Sequence, residues 1–211
     1  MVVLPMHVRA FVRRDYYPVW QAMQTVTALR TQSSADELWQ VEHPPIYTQG
    51  MNGKSEHLLD RGGTPLLQTD RGGQITYHGP GQIVMYTLID LRRRGWGVRK
   101  LVNFLERSVI DTLTSYGIPS QTRGDAPGVY VRDRKIAAIG LRVRNGCSYH
   151  GVSLNVAMDL EPFQSINPCG YPGLKITQVS DEGGPTDLAT VTEALSIRLQ
   201  GRFRFTEEDE H

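Results

Sequence analysis

Two amphipathic stripes bracket a stretch of the sequence that offers only strand-like segments, and this order constrains the fold more than any other feature. The first stripe is Tyr16, Val19, Trp20, Met23 and Val26, with Asp15 placed to cap it; the second is Val98, Leu101, Val102, Leu105, Val109 and Leu113 within Gly97–Tyr116. Both have the spacing of a half-buried helix. Between them lie Glu37–Glu42, Ile46–Tyr47, Leu66–Thr69 and Ile83–Leu91, with Pro44–Pro45 separating the first two. No helix intervenes between these strands, so a regular βαβ alternation is excluded. Ile83–Leu91 is apolar on both faces, which predicts a central strand.

Beyond the second stripe, Gly128–Val131 and Lys135–Val143 flank the polar turn Arg132–Asp133–Arg134, the pattern of a β-hairpin. Tyr149–Val156 alternates, with Val152, Leu154 and Val156 on one side and Ser153 and Asn155 on the other. Leu188, Val191, Leu195 and Leu199 predict a last helix, stopped by Gly201. The expected class is α+β: a mixed β-sheet with helices packed mainly on one face. Without internal repeats or long linkers, residues 1–205 read as one catalytic-size domain, and 206–211 as an acidic, disordered tail.

Composition narrows the function classes. No apolar run approaches the roughly 18 residues of a membrane span, and the N-terminal sequence has no leading positive region or uninterrupted apolar core, so neither membrane nor export is expected. Two cysteines, Cys147 and Cys169, exclude a disulfide framework, and a reduced, cytoplasmic protein is expected. The net charge of +1 is an average over unlike parts. Glu207–Glu210 contributes four of the 22 acids; against the remaining 18 stand 23 bases, a net of +5. Arg92, Arg93, Arg94, Arg99 and Lys100 concentrate some of that excess, either as a solvated face or as a surface for an acidic partner. No aromatic series interleaves with these bases, so nucleic acid is not expected.

Three places could carry chemistry. Asp70–Gln82, DRGGQITYHGPGQ, holds four glycines in thirteen residues, where backbone can approach a ligand or simply turn twice around a short strand. It lacks the endings of the nucleotide-phosphate loops. Cys169 sits in INPCGYPG, Ile166–Gly173; a free cysteine is commonly a small buried hydrophobe, but a Pro/Gly loop is also a place to present a thiol. Cys147, in a turn feeding a strand, reads as structural. A nucleophilic thiol needs a neighbouring base or cation. His43, His78 and His150 are the candidate bases, while His7, His57 and His211 lie in less organised surroundings. Lys135, opening the apolar segment KIAAIG, is either a partly desolvated proton carrier or a snorkelling strand end. No metal-ligand spacing occurs.

Five blocks together resemble the lipoate-protein ligase B family, the octanoyl-[acyl-carrier-protein]:protein N-octanoyltransferases. They are RGGQITYHGPGQ (Arg71–Gln82), GDAPGVYV (Gly124–Val131), RKIAAIGLRV (Arg134–Val143), HGVSLNV (His150–Val156) and INPCGYPG (Ile166–Gly173). They come in the family's order and span about half the chain. The resemblance implies the fold of the catalytic domain of biotin and lipoate protein ligases. It implies that Cys169 takes the acyl group as a thioester and that Lys135 lowers the thiol's pKa and relays protons. It implies an acyl pocket built from Arg71, Gly72, Gly73, Gln74, Ile75, Thr76, Tyr77 and His78, completed by Ala138, Ile139, Gly140, Gly151, Val152 and Ser153.

The donor so implied is octanoyl-acyl carrier protein. The acceptor is a lysine on the lipoyl domains of 2-oxoacid dehydrogenases or on glycine-cleavage H protein, and neither ATP nor a metal is expected as cofactor. Three other readings compete. An ATP-dependent lipoate or biotin ligase shares the fold and needs no thiol nucleophile. A Cys-His thioesterase or hydrolase would use His78 or His150. A non-enzymatic acyl-sensing module would leave Cys169 inert.

Overall fold

A computed structural model of the chain describes residues 6–124 and 126–205, and for Cys169, Arg204 and Phe205 the backbone alone. The acidic segment 206–211 lies outside the described residues. Seven strands form the larger sheet. They are β1 (His7–Ala10), β2 (Glu37–Val41), β6 (Gln82–Leu88), β7 (Gln121–Thr122), β8 (Gly128–Val131), β9 (Arg134–Arg144) and β10 (Cys147–Asn155), in the spatial order β1-β2-β6-β10-β9-β8-β7. β1 runs parallel to β2 and every other pairing is antiparallel, so the sheet is mixed. β3 (Ile46–Gln49), β4 (Leu66–Gln68) and β5 (Ile75–His78) form a second sheet in the order β4-β3-β5.

β6 is buried along all seven residues and lies between β2 and β10, as its doubly apolar sequence predicts. Its side chains divide between two cores. Ile83 and Met85 meet α2 (Val98–Thr114) and α3 (Leu188–Phe205) through Leu101, Leu105, Val109, Val191, Leu195 and Leu199. Val84, Tyr86 and Leu88 meet α1 (Tyr16–Leu29) through Tyr16, Val19 and Met23. Among the described residues, two of the three α-helices therefore share one face and α1 covers the other. A third cluster, Tyr47, Ile75, Tyr77 and Phe163, belongs to the small sheet. Each fully buried Leu or Ile in these clusters stabilises the fold by about 1.5–3 kcal/mol relative to exposure.

Two local expectations change. Asp15 occupies the N-cap position of α1, but its side chain makes no capping hydrogen bond. α3 runs through Gly201 to Phe205. Burial of Phe203 against Trp96 and Phe104, at ring-centroid distances of 5.4 and 4.8 Å, carries the helix past a residue that costs it about 1 kcal/mol. The strand β1 is an addition to the expected elements: its residues, HVRA, alternate, but all four are exposed and no face of them is buried.

The basic run is partly consumed inside the fold. Asp36 is 1% exposed and accepts from Arg30 (2.7 Å), Arg93 (2.7 Å), Arg94 (2.8 Å) and the backbone N–H of Asp90 (2.9 Å). Arg94 also lies over the Phe203 ring, 4.2 Å from its centroid. That leaves Arg92, Arg99 and Lys100 as the exposed part of the run. Among the described residues no helix is long and apolar enough to cross a membrane.

Candidate active site

The glycine-rich segment crosses from the small sheet toward the large one, and Arg71 is its keystone. Arg71 is 7% exposed, and the hydrogen bonds of its guanidinium hold its own loop and β3 together. Nε donates to Thr48 Oγ1 (3.0 Å), Nη2 to the carbonyls of Thr48 (2.5 Å) and Gln74 (2.8 Å), and Nη1 to that of Gly72 (2.9 Å). Gly72 N–H donates to Leu141 O at 2.9 Å, tying the loop to β9. Gly73 takes φ +87, a left-handed conformation that suits glycine.

The blocks at 138–140 and 151–153 lie far apart in sequence but face each other across one antiparallel ladder: Ala138 opposite Ser153, Ile139 opposite Val152, Gly140 opposite Gly151. Together with β5 and the glycine loop they wall a pocket between the two sheets. It is lined by Arg71, Gly73, Gln74, Ile75, Thr76, His78, Ala138, Ile139, Gly140, Gly151, Val152 and Ser153, and at its inner end by Tyr16, Val84, Tyr86 and His150. Twelve of the fourteen pocket residues expected from sequence are thus brought together. Gly72 does not line the pocket, and Tyr77 stands in the small sheet's own core against Tyr47 and Phe163. Gly151 serves packing as well: a Cβ there would stand 1.9 Å from Met85 O.

Lys135 opens β9 and is 3% exposed. Its N–H donates to Lys175 O, and its carbonyl accepts from Thr177 N–H, each at 2.9 Å. It lines a second cavity with Gln82, Asn155, Phe163, Pro168 and Ile176; Thr76, Ala138 and Ser153 line both cavities, which therefore lie side by side. Pro168 begins the one-turn helix Pro168–Gly170 that carries Cys169. The thiol itself lies outside the described side chains. Cys147 is buried in β10, and burial raises its pKa, which suits an inert thiol.

The three histidines proposed as bases line no part of the Lys135 cavity. His78 and His150 line the first pocket instead, and His43 lies behind them, its ring centroid 6.1 Å from that of His78. His43 donates or accepts between Arg14 O (2.6 Å) and the Tyr86 hydroxyl (2.7 Å), and His78 lies between Gln82 Oε1 (2.7 Å) and Thr48 Oγ1 (3.4 Å). Burial pushes the pKa of His43 down to about 4 and that of His78 to about 3, and lowers that of His150. His150 Nε2 faces Asp70 Oδ1 at 3.0 Å. Asp70 also accepts from Trp20, Gln24 and Tyr149; although its burial alone would raise the pKa, these bonds hold the carboxyl well below its usual range.

Sequence reasoning missed two residues at the thiol end. His57 packs beside the Cys169 turn: Asn167 N–H donates to His57 O (2.8 Å), and His57 Nε2 lies 3.4 Å from where a Cβ on Gly170 would be. The lone signal was its place between two loops. Glu106, buried on α2, accepts Gly128 N–H at 2.9 Å and interacts electrostatically with Lys135, while burial raises its own pKa. A carboxylate interrupting the apolar stripe of α2, one residue after Leu105, could have marked it.

Residues 15–200 match the family model described as the lipoyl protein ligase A/B catalytic domain. An octanoyltransferase of Vibrio vulnificus is 58% identical over 192 residues, covering 91% of this chain and 88% of its own. One of Methylococcus capsulatus is 60% identical over 176 residues, covering 83% and 85%. A solved lipoate-protein ligase A bound with ATP superposes with a TM-score of 0.78 at 14% identity, over 95% of this chain and 86% of its own. Biotin protein ligase from Aquifex aeolicus gives a TM-score of 0.55 at 13% identity, over 99% and 73%. The solved structures establish the shared fold, and the curated relatives establish octanoyl transfer. The chain belongs to the lipoyl protein ligase A/B catalytic-domain family and, within it, to the octanoyltransferases, acyltransferases of protein lipoylation.

Proposed function

We propose that the chain moves an octanoyl group from acyl carrier protein to a lysine of a lipoyl domain through a thioester on Cys169, in the cytoplasm and without ATP or a metal. The observation that carries this reading is the adjoining pair of cavities. One is walled by the residues expected to hold an acyl chain, and the other holds buried Lys135 and the start of the Cys169 turn. A solved archaeal lipoate protein ligase described together with its E2 lipoyl domain superposes with a TM-score of 0.78. That fold relationship supports a lipoyl domain as acceptor.

In the first step the Cys169 thiolate attacks the carrier thioester. The bond from the carbonyl carbon to the carrier sulfur breaks, and the carrier thiol leaves with a proton supplied by the Lys135 ammonium. In the second step the acceptor amine attacks the enzyme thioester. Lys135, now neutral, takes the amine's proton as an amide forms and the Cys169 thiolate departs. Thioester exchange is nearly balanced and amide formation is downhill, so neither step needs an external energy source. Burial of the tail in the apolar part of the pocket contributes about 0.8 kcal/mol per methylene, enough to anchor the donor by its chain.

Incubation of the protein with octanoyl-acyl carrier protein in the absence of ATP tests this reading. The expected result is an octanoyl adduct that a lipoyl domain then removes. Transfer intact in Cys169→Ala, or transfer only with ATP and free octanoate, would overturn it.

A further inference from the structure

The inner end of the acyl pocket is made of rings with polar atoms, where a simple hydrocarbon sheath would serve a methyl terminus better. Tyr16, Tyr86, His78 and His150 close it, with Val84 beside them. Tyr16 stacks on His78 at a ring-centroid distance of 5.5 Å, and Tyr86 meets His150 edge-on at 6.1 Å. Polar groups facing an acyl tail would repel it unless their hydrogen bonds were made elsewhere.

They are made elsewhere, and the proton count shows how. One chain runs from the Asp70 carboxylate to His150 Nε2 (3.0 Å) and from His150 Nδ1 to the Tyr16 hydroxyl (3.4 Å). A second runs from the Tyr86 hydroxyl to His43 Nε2 (2.7 Å) and from His43 Nδ1 to Arg14 O (2.6 Å), and the two meet where the Tyr16 and Tyr86 rings stand edge to face at a centroid distance of 6.4 Å. A carboxylate and a carbonyl can only accept, so His150 carries its proton on Nε2 and His43 carries its proton on Nδ1. His43 Nε2 then accepts from Tyr86, and His150 Nδ1 accepts from the Tyr16 hydroxyl. His78 spends Nδ1 on Gln82, and its Nε2 accepts from Thr48, whose oxygen in turn accepts from Arg71. Every N–H and O–H of the four rings is committed to a neighbour, so the pocket meets only ring faces and edges.

The same chains fix the rings in place. One is anchored on Asp70, the other on the backbone of Arg14. His150 is further held by its own backbone at φ +61, in the left-handed region, and it precedes Gly151, whose Cα packs directly on the Met85 carbonyl. No ring can turn aside to admit more carbon without unmaking a buried hydrogen bond.

We propose that the hydrogen-bonded ring set Tyr16, His78, Tyr86 and His150 is the stop that sets the length of acyl chain the protein accepts. The inference rests on the acyl-pocket reading above: the carbonyl lies at the Lys135 cavity, the tail crosses Thr76, Ala138 and Ser153, and its last carbon abuts these rings.

The test is a competition among equimolar hexanoyl-, octanoyl-, decanoyl- and dodecanoyl-acyl carrier proteins, read by intact mass of the full-length protein after brief incubation. Wild type is expected to carry mainly octanoyl. Tyr86→Ala opens the inner end and cuts the second chain, and should raise the decanoyl-to-octanoyl ratio at least tenfold. Val84→Phe, which fills the same end without touching the hydrogen-bond chains, should shift selection toward hexanoyl, and it keeps the proposal testable if Tyr86→Ala fails to fold. Ratios unchanged in a folded variant overturn the stop. Should wild type carry no acyl group at all, the thioester reading fails instead. The same competition is then read on the acceptor lysine, where the same shifts are expected and their absence overturns the stop.

Discussion

At the scale of single residues, the position of the Lys135 ammonium depends on an atom that is missing next door. Gly128 has φ +139, and a Cβ there would fall 2.6 Å from Lys135 Cε, 3.2 Å from Nζ and 2.5 Å from Ala137 O. Gly128→Ala therefore strains the backbone and pushes the lysine stem together. The expected loss is about 1–3 kcal/mol of stability, with acyl-enzyme formation slowed beyond the change seen at an equally destabilising site remote from Lys135. Thermal unfolding and single-turnover acylation measure both, and a variant with wild-type acylation would separate Lys135 from the reaction. Gly128 belongs to a quoted sequence block, but its job is legible only once β8 and β9 are paired. By contrast, the facing of Ala138 and Ser153 was half legible: both blocks were visible and only their register was not.

At the scale of elements, Asp36 joins three pieces of chain. Arg30 follows α1, Asp36 precedes β2, and Arg93 and Arg94 lie in the turn after β6. Removing one partner of such a buried cluster strands the others, which costs about 3–5 kcal/mol. Asp36→Ala should lower the denaturant midpoint accordingly, and a loss within the error of a surface substitution would show that the arginines find water or other acceptors. The cluster also explains why the sequence misleads here. A run of bases looks like a surface for an acidic partner because the acid that neutralises it lies some 57 positions away. Alternation and helical spacing, being local, located β6, β9, β10 and all three helices. Exposed β1 and the passage of α3 through Gly201 depended on contacts that no local pattern encodes.

At the scale of the whole molecule, burying neutral histidines makes stability depend on pH. The pKa of His43 and of His78 is lowered from 6.5 to about 4 and about 3. The unfolded chain therefore binds protons that the fold refuses. Stability is full above about pH 6.5 and falls as the pH drops toward 4, by about 2 kcal/mol per histidine at pH 5. The lowered pKa of Asp70 acts in the same direction at still lower pH. Urea titrations at pH 7.5 and pH 5 should show a clear fall in midpoint, and equal midpoints would mean that these rings are protonated in the fold. The same gathering of His43, His78 and His150 was hidden from sequence reading, which placed them beside a thiol. They come instead from β5, β10 and the loop after β2, and meet only because two sheets close on α1. Family, fold and most of the pocket wall were legible in contiguous motifs, whereas the floor of the pocket was not.

The central claim is that the acyl group rests on this chain between donor and acceptor, and the direct measurement is the mass of the protein after incubation with octanoyl-acyl carrier protein, followed by peptide mapping and a chase with lipoyl domain. The thioester mechanism predicts one octanoyl group on Cys169, formed without ATP and lost to the acceptor lysine at the rate of overall transfer. An unmodified Cys169 during steady transfer, or an adduct that the lipoyl domain leaves in place, would contradict it.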